Sequence, residues 1–350
     1  MTGAERLRRI FARAGLQPAV QDGDTASGTV VLARADWVVD ENLIKALAAR
    51  PGAVLTDGEG RPAAAHVLAA EAVAAATLLE QGAAPPGLER LNALDLAYNS
   101  ALRKREPPVI QPLDAANVRA VEARLFQGSY KGVTDLVTKH VWPVPARIVT
   151  RWCALAGMTP NQVTLIGLAL TIAAFWLFWT GHFGGGLACA WVMTFLDTVD
   201  GKLARVTLTS SKIGNVLDHG IDLIHPPFWW WAWLVGVQAT TSHPLAQPDL
   251  ILWVVAGGYV AQRLEEGVFL KLFGGLEMHA WRPFDSWFRL ITARRNPNLI
   301  LLTAACLAGR PDLGLLAVAA WTAICLVVHL VQILQALATP RERVVSWLAR

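Results

Sequence analysis

Between residues 160 and 340 the chain runs repeatedly through stretches of roughly 20 residues with almost no charge, the length that crosses a bilayer core. Such runs must lie in hydrocarbon or in a very large core. In lipid only helices and closed barrels satisfy every backbone polar group. Thr159 followed by Pro160 is a helix start, with threonine capping and proline at the first helical position. The spacing of apolar runs and breaks predicts helices over 160–180, 184–205, 213–239, 249–269, 297–307 and 313–338, the fifth of them short. The expected fold class is a multi-pass α-helical membrane protein, six transmembrane helices preceded by a small cytoplasmic α/β domain.

Composition shows the same division. The chain is 54% hydrophobic and 17% charged overall, but residues 1–150 read as an ordinary soluble sequence. Short β-branched runs at 28–33 and 53–56, a helical pattern at 41–50, a turn at 57–60 and a possible return strand at 63–67 make a small α/β unit. The expected domains are 1–114, the α/β unit; 115–158, interfacial helices or an amphipathic linker; 159–340, the membrane domain; and 341–350, a cytoplasmic tail. Residues 1–15 lack the apolar core of a signal peptide. The four cysteines are scattered and suggest neither disulfides nor a zinc site.

Charge orients the helices. Arg147, Arg151, Lys202, Arg205, Lys212, Arg263, Lys271, Arg282, Arg289, Arg294, Arg295, Arg341 and Arg343 fall at one set of ends, and Arg310 at the other. The positive-inside rule puts the first set, both termini and the α/β unit in the cytoplasm, so the inner (cytoplasmic) membrane is the expected location. Trp229, Trp230, Trp231 and Trp233 then fall where an outer aromatic belt is expected. A net charge of +4, clustered at the ends of apolar runs, does not suggest a nucleic-acid partner.

The ends of the second and third helices carry Asp197-x-x-Asp200-Gly201-x-x-Ala204-Arg205, then eight residues, then Gly214-x-x-x-Asp218-x-x-x-Asp222. Each set of offsets stays on one helical face. A short basic turn joins the helices, so the faces can converge. Carboxylates in a membrane helix are costly and functional by default. Four together repel one another unless a cation sits among them. Asp197, Asp200, Asp218 and Asp222 are therefore candidate ligands for Mg²⁺ or Mn²⁺, which prefer hard oxygen donors. Gly201, Ala204 and Gly214 either admit a flat ligand to the helix backbone or let the helices pack closely. A structural salt-bridge cluster is the bland alternative for the whole set.

The complete pattern D-x₂-D-G-x₂-A-R-x₈-G-x₃-D-x₃-D resembles the signature of the CDP-alcohol phosphotransferase family, over about residues 159–340. The resemblance implies a six-helix homodimer binding a CDP-alcohol donor at the cytoplasmic side. It implies two metal ions on Asp197, Asp200 and Asp218, with Asp222 at the same centre as general base. Asp200, Gly201, Ala204, Arg205 and Gly214 would bind the nucleotide. The products would be CMP and a phospholipid or polar lipid; a di-inositol-phosphate-type synthase joining two soluble head groups, or a transporter, are the other readings. Arg294, Arg295 and Lys212 are candidates for binding the hydroxyl acceptor, a phosphorylated polyol being the case that would need them. The 5–15 and 34–40 segments resemble parts of the nucleotidyltransferase domain in inositol-phosphate cytidylyltransferase/di-inositol-phosphate-phosphate synthases. The glycine-rich nucleotide loop is missing, so this domain is expected to be a degenerate remnant, with Asp36 as its one metal-ligand candidate.

Overall fold

The computed structural model describes residues 2–17, 28–210 and 212–349, and their side chains except at 94, 212, 213, 215 and 217–219. Two compact units emerge, Met1–Tyr130 with Val206–Leu208, and Lys131–Arg205 with Thr209–Arg350.

In the first unit, α1 (Gly3–Arg13) precedes β1 (Thr29–Ala33), β2 (Trp37–Val39), α2 (Glu41–Ala48), β3 (Ala53–Thr56), β4 (Pro62–Leu68), α3 (Ala72–Glu80) and β5 (Glu89–Leu91). Three short strands follow, β6 (Tyr98–Asn99), β7 (Lys104–Arg105) and β8 (Ile110–Pro112), and then α4 (Val118–Gly128). The main sheet has the order β1-β4-β3-β5. The β3–β4 pair is antiparallel, as the hairpin reading of 53–67 required, with a bulge where Thr56 meets Pro62. Alternation along these strands fails because β4 is buried on both faces: Pro62 through Val67 are all covered. Leu43, Ile44 and Leu47 of α2 seal one side, and Ala75 and Leu79 of α3 the other.

The second unit is helical: α5 (Leu136–His140), α6 (Pro143–Leu155), α7 (Pro160–Trp179), α8 (Phe183–Val206) and α9 (Lys212–Thr240). Next, α10 (Pro248–Leu252) runs through a π turn at Trp253–Gly257 into α11 (Gly258–Leu272). Then come α12 (Pro283–Phe288), α13 (Arg295–Leu307) and α14 (Pro311–Leu337). Thr159 caps α7 with a full capping box to Gln162. Among the described residues two helices, α7 and α14, are long and apolar enough by composition to cross a membrane. The others fall short for local reasons: α8 combines a glycine run with Asp197 and Asp200, and α13 has 13 residues, about 20 Å of rise.

Helix α7 packs along α9, and glycine makes the approach possible. A Cβ on Gly236 would stand 2.1 Å from the Phe178 carbonyl oxygen. This packing overturns the aromatic-belt reading. Trp229, Trp230 and Trp233 are buried with Phe178 in the core of the bundle, and of the four only Trp231, 41% exposed, faces outward. Two of the three buried indole N–H groups find acceptors inside, Trp229 donating to Thr171 O at 3.0 Å and Trp233 to Pro311 O at 3.0 Å, while Trp230 Nε1 is buried with no hydrogen-bond partner among the described residues. A buried tryptophan usually finds such a partner, and helix ends and hydroxyl-bent turns provide it for these two.

Candidate active site

Helices α7, α8 and α9 form a cleft lined by Thr164, Met193, Asp197, Asp200, Ile221 and Asp222. Asp200 is 3% exposed, and its Oδ2 accepts a 2.5 Å hydrogen bond from the Thr164 hydroxyl. Thr164 sits one turn into α7, so the capped start of that helix fixes where the hydroxyl points. Asp197 and Asp222 face each other across the cleft and share one guanidinium. Arg295 of α13 donates to Asp197 Oδ2 at 2.5 Å and, through its other terminal nitrogen, to Asp222 Oδ1. One cation thus links α8, α9 and α13.

One turn farther along α8, Gly201 leaves room for the Arg205 side chain, whose Nη2 would lie 3.1 Å from a Cβ there. Ala204 continues the same face. Gly214 lies on α9, as does Asp218; the side chains of Asp218 and Lys212 lie outside the described residues. Arg294, adjacent to Arg295, turns elsewhere and pairs with Glu266 of α11, which also accepts from Arg263 at 2.9 Å. The first turn of α13 is anchored again by Asn296, which donates to Asp135 Oδ1 at 2.9 Å. Burial alone would raise the Asp135 carboxyl, but the Arg289 guanidinium and these hydrogen bonds outweigh it and hold it below its ordinary value.

Sequence reasoning missed Tyr259. Pro226 and Pro227 lie inside α9 and have no N–H to donate one turn back, which deprives the carbonyls of Asp222 and Leu223 of their helical partners. The Tyr259 hydroxyl, from α11, faces both oxygens, 3.3 Å from Asp222 O and 3.2 Å from Leu223 O. It thereby supports the turn that carries Asp222. The neighbouring His225 is a structural residue: its Nδ1 lies 2.7 Å from Ile221 O and its ring packs edge-on to Trp229. Tyr259→Phe is expected to destabilise the protein by about 1 kcal/mol, the net worth of a lost hydrogen bond. Turnover should fall by roughly threefold to tenfold as Asp222 loosens, measured by thermal unfolding and initial rates; unchanged values for both would dismiss the role.

In the first unit Asp36 is held by its neighbour. Arg34 forks onto it with Nε to Oδ1 at 3.0 Å and Nη2 to Oδ2 at 2.7 Å.

Comparison with known proteins bears on the family. Residues 157–270 match the sequence profile of the family described as CDP-alcohol phosphatidyltransferase. Cholinephosphotransferase 1 of Xenopus laevis is 30% identical over 148 residues, 37% of this chain and 34% of the relative. Archaetidylinositol phosphate synthase of Pyrococcus horikoshii is 40% identical over 79 residues, 22% of this chain and 42% of the relative. The chain therefore spans about a third to two fifths of the length of these curated relatives. Among solved structures, the Mycobacterium tuberculosis phosphatidylinositol phosphate synthase with CDP-DAG bound matches with a TM-score of 0.42 and 19% identity, over 53% of this chain and 91% of that one. Residues 157–270 of this chain are a CDP-alcohol phosphatidyltransferase domain.

Proposed function

We propose that this chain transfers a substituted phosphate group from a CDP-alcohol to a hydroxyl acceptor and releases CMP, in phospholipid or polar-lipid synthesis. The observation that carries this is the cleft itself: Asp197, Asp200 and Asp222, from two halves of one motif, converge beside Thr164, and Asp197 and Asp222 already hold a cation. The Arg295 guanidinium bridging Asp197 and Asp222 shows that these carboxylates balance positive charge, so the donor set fits Mg²⁺ or Mn²⁺. Asp197, Asp200, Asp218 and Asp222 would hold two such ions. When bound, they neutralise the donor pyrophosphate and the departing CMP.

The chain's own residues do the rest. Thr164 fixes the rotamer of Asp200. Gly201, Ala204 and Gly214 leave the backbone open to the cytidine, with Arg205 beside it. Asp222, 40% exposed at its side chain and held from behind by Tyr259, is placed to take the acceptor's hydroxyl proton. That proton must leave as the oxygen attacks the phosphate, and Arg295 then balances Asp197 and Asp222 once the products go.

Membrane insertion through six helices, with both termini and the cleft on the cytoplasmic face, belongs to the same reading. Large apolar side chains stay exposed on helices other than α7 and α14: Leu223, Ile224 and Phe228 on α9, and Val260, Leu264 and Val268 on α11. On α6, Val144, Ile148, Trp152 and Leu155 form an exposed stripe beside Arg147 and Arg151, which suits a helix lying at an anionic lipid surface. The homodimer rests on the family resemblance.

For the acceptor, we favour a phosphorylated polyol. The relative from Pyrococcus horikoshii is named archaetidylinositol phosphate synthase, and Arg295 at the cleft and Lys212 on α9 are the cations such an acceptor needs, whereas Arg294 is turned to Glu266. Purified protein should release CMP from CDP-diacylglycerol most rapidly with inositol phosphate or glycerol phosphate in a panel of acceptors. Equal rates with unphosphorylated alcohols would exclude the phosphate site.

A further inference from the structure

Apart from the aspartate cleft, the described residues contain a second group of metal-ligating side chains. Glu266 of α11, His279 of the turn Met278–Ala280 and His329 of α14 bring one ligand atom each within 4.8 Å of one another. The two rings are 2% and 0% exposed and meet edge-on, with centroids 5.3 Å apart. Buried imidazoles normally have hydrogen-bond partners. Here neither ring nitrogen of His329 makes a hydrogen bond, and Nδ1 of His279 makes none either.

The distances fit a metal better than a proton. His279 Nε2 stands 3.3 Å from Glu266 Oε1, long for a bond to a carboxylate. Two ligands at about 2.0–2.1 Å on a tetrahedral zinc ion lie about 3.3 Å apart. On the far side, His329 Nδ1 faces Glu265 Oε2 at 3.4 Å. A carboxylate there favours the tautomer that leaves Nε2 with a lone pair, the usual arrangement behind a zinc-bound histidine.

Arg263 and Arg294 also share Glu266, which disfavours a hard ion bound mainly by charge. Two imidazoles instead select a borderline ion. We propose that Glu266, His279 and His329 bind a zinc ion, a water completing the tetrahedron, that ties the turn after α11 to α14. Because Glu266 also holds Arg294, the ion would stiffen the approach to α13 and its Arg295.

The test is the metal content of full-length protein, purified in detergent from zinc-supplemented cells and kept in Mg²⁺ buffer. Roughly one zinc per chain is expected in the wild type and in Asp197→Asn, with a loss of roughly tenfold or more in His329→Leu and His279→Gln. Loading wild-type protein with Co²⁺ should give the strong visible bands of a tetrahedral site, a readout that depends on no variant folding. Wild-type protein without zinc above buffer level and without such bands would overturn the proposal. Zinc retained in both histidine variants, or lost in Asp197→Asn, would overturn it equally. Because Asp197→Asn removes transfer and spares this cluster, the outcome is independent of the proposed reaction.

Discussion

Asp200→Asn is expected to lower CMP release by about 10³-fold or more, with the protein still folded. The size follows from what a metal supplies to a phosphoryl transition state, several kcal/mol, at 1.36 kcal/mol per factor of ten. Asparagine is the informative replacement because its oxygen can still accept the Thr164 hydroxyl, so the helix contact survives while the charge is lost. Asp197→Asn and Asp218→Asn should cost as much. Asp197→Asn also takes one partner from the Arg295 fork, so it should lower thermal stability more than Asp200→Asn does. Near-normal turnover in any of these three variants would defeat the metal assignment. Asp222→Asn should lose the rate of proton removal while keeping donor binding, visible as a fall in kcat with little change in donor KM.

Arg295→Gln is expected to combine two effects that rarely occur together. Its side chain is 14% exposed and serves two carboxylates that are 24% and 40% exposed, so its loss should cost more than the ~1 kcal/mol of a surface pair and less than the ~3–5 kcal/mol of a fully buried one. Metal-free protein should therefore melt earlier than wild type. Mg²⁺ should then restore more of the melting temperature than it does in wild type, because the ion no longer competes with a resident guanidinium. Turnover should fall by roughly 10²-fold, the usual cost of losing one preorganised cationic or hydrogen-bonding group. Arg295→Lys should rescue little, since an ammonium cannot fork across two carboxylates. A wild-type response to Mg²⁺ in Arg295→Gln would show that guanidinium and ion do not share a site.

The residues that the motif names were legible because helix periodicity is local. Offsets of 0, 3, 4, 7 and 8 put Asp197 to Arg205 on one face whatever the rest of the chain does. The capped start of α7 at Thr159-Pro160 was legible for the same reason. What packs against that face was not. Arg295 lies 98 positions from Asp197, and the sequence offers two adjacent arginines with nothing to say that one turns to the aspartates and the other to Glu266. Tyr259 was hidden too, although its cause was visible: two prolines in α9 imply two carbonyls needing a donor from elsewhere. The tryptophans were misassigned because hydropathy locates the end of a helix but not its inward face. The Glu266–His279–His329 cluster joins a helix, a turn and a second helix, and no spacing rule connects them. Cysteine arithmetic, the usual sequence guide to zinc, is silent there.

The most direct measurement is CMP formation by purified full-length protein given CDP-diacylglycerol, Mg²⁺ and a polyol phosphate, followed against the same mixture containing EDTA. The account predicts stoichiometric CMP and phosphodiester product in the first, none with chelator, full recovery on adding back Mg²⁺ or Mn²⁺, and a rate about 10³-fold lower at any metal concentration with Asp200→Asn. CMP release that persists in EDTA, or a near-normal rate in Asp200→Asn, would contradict it.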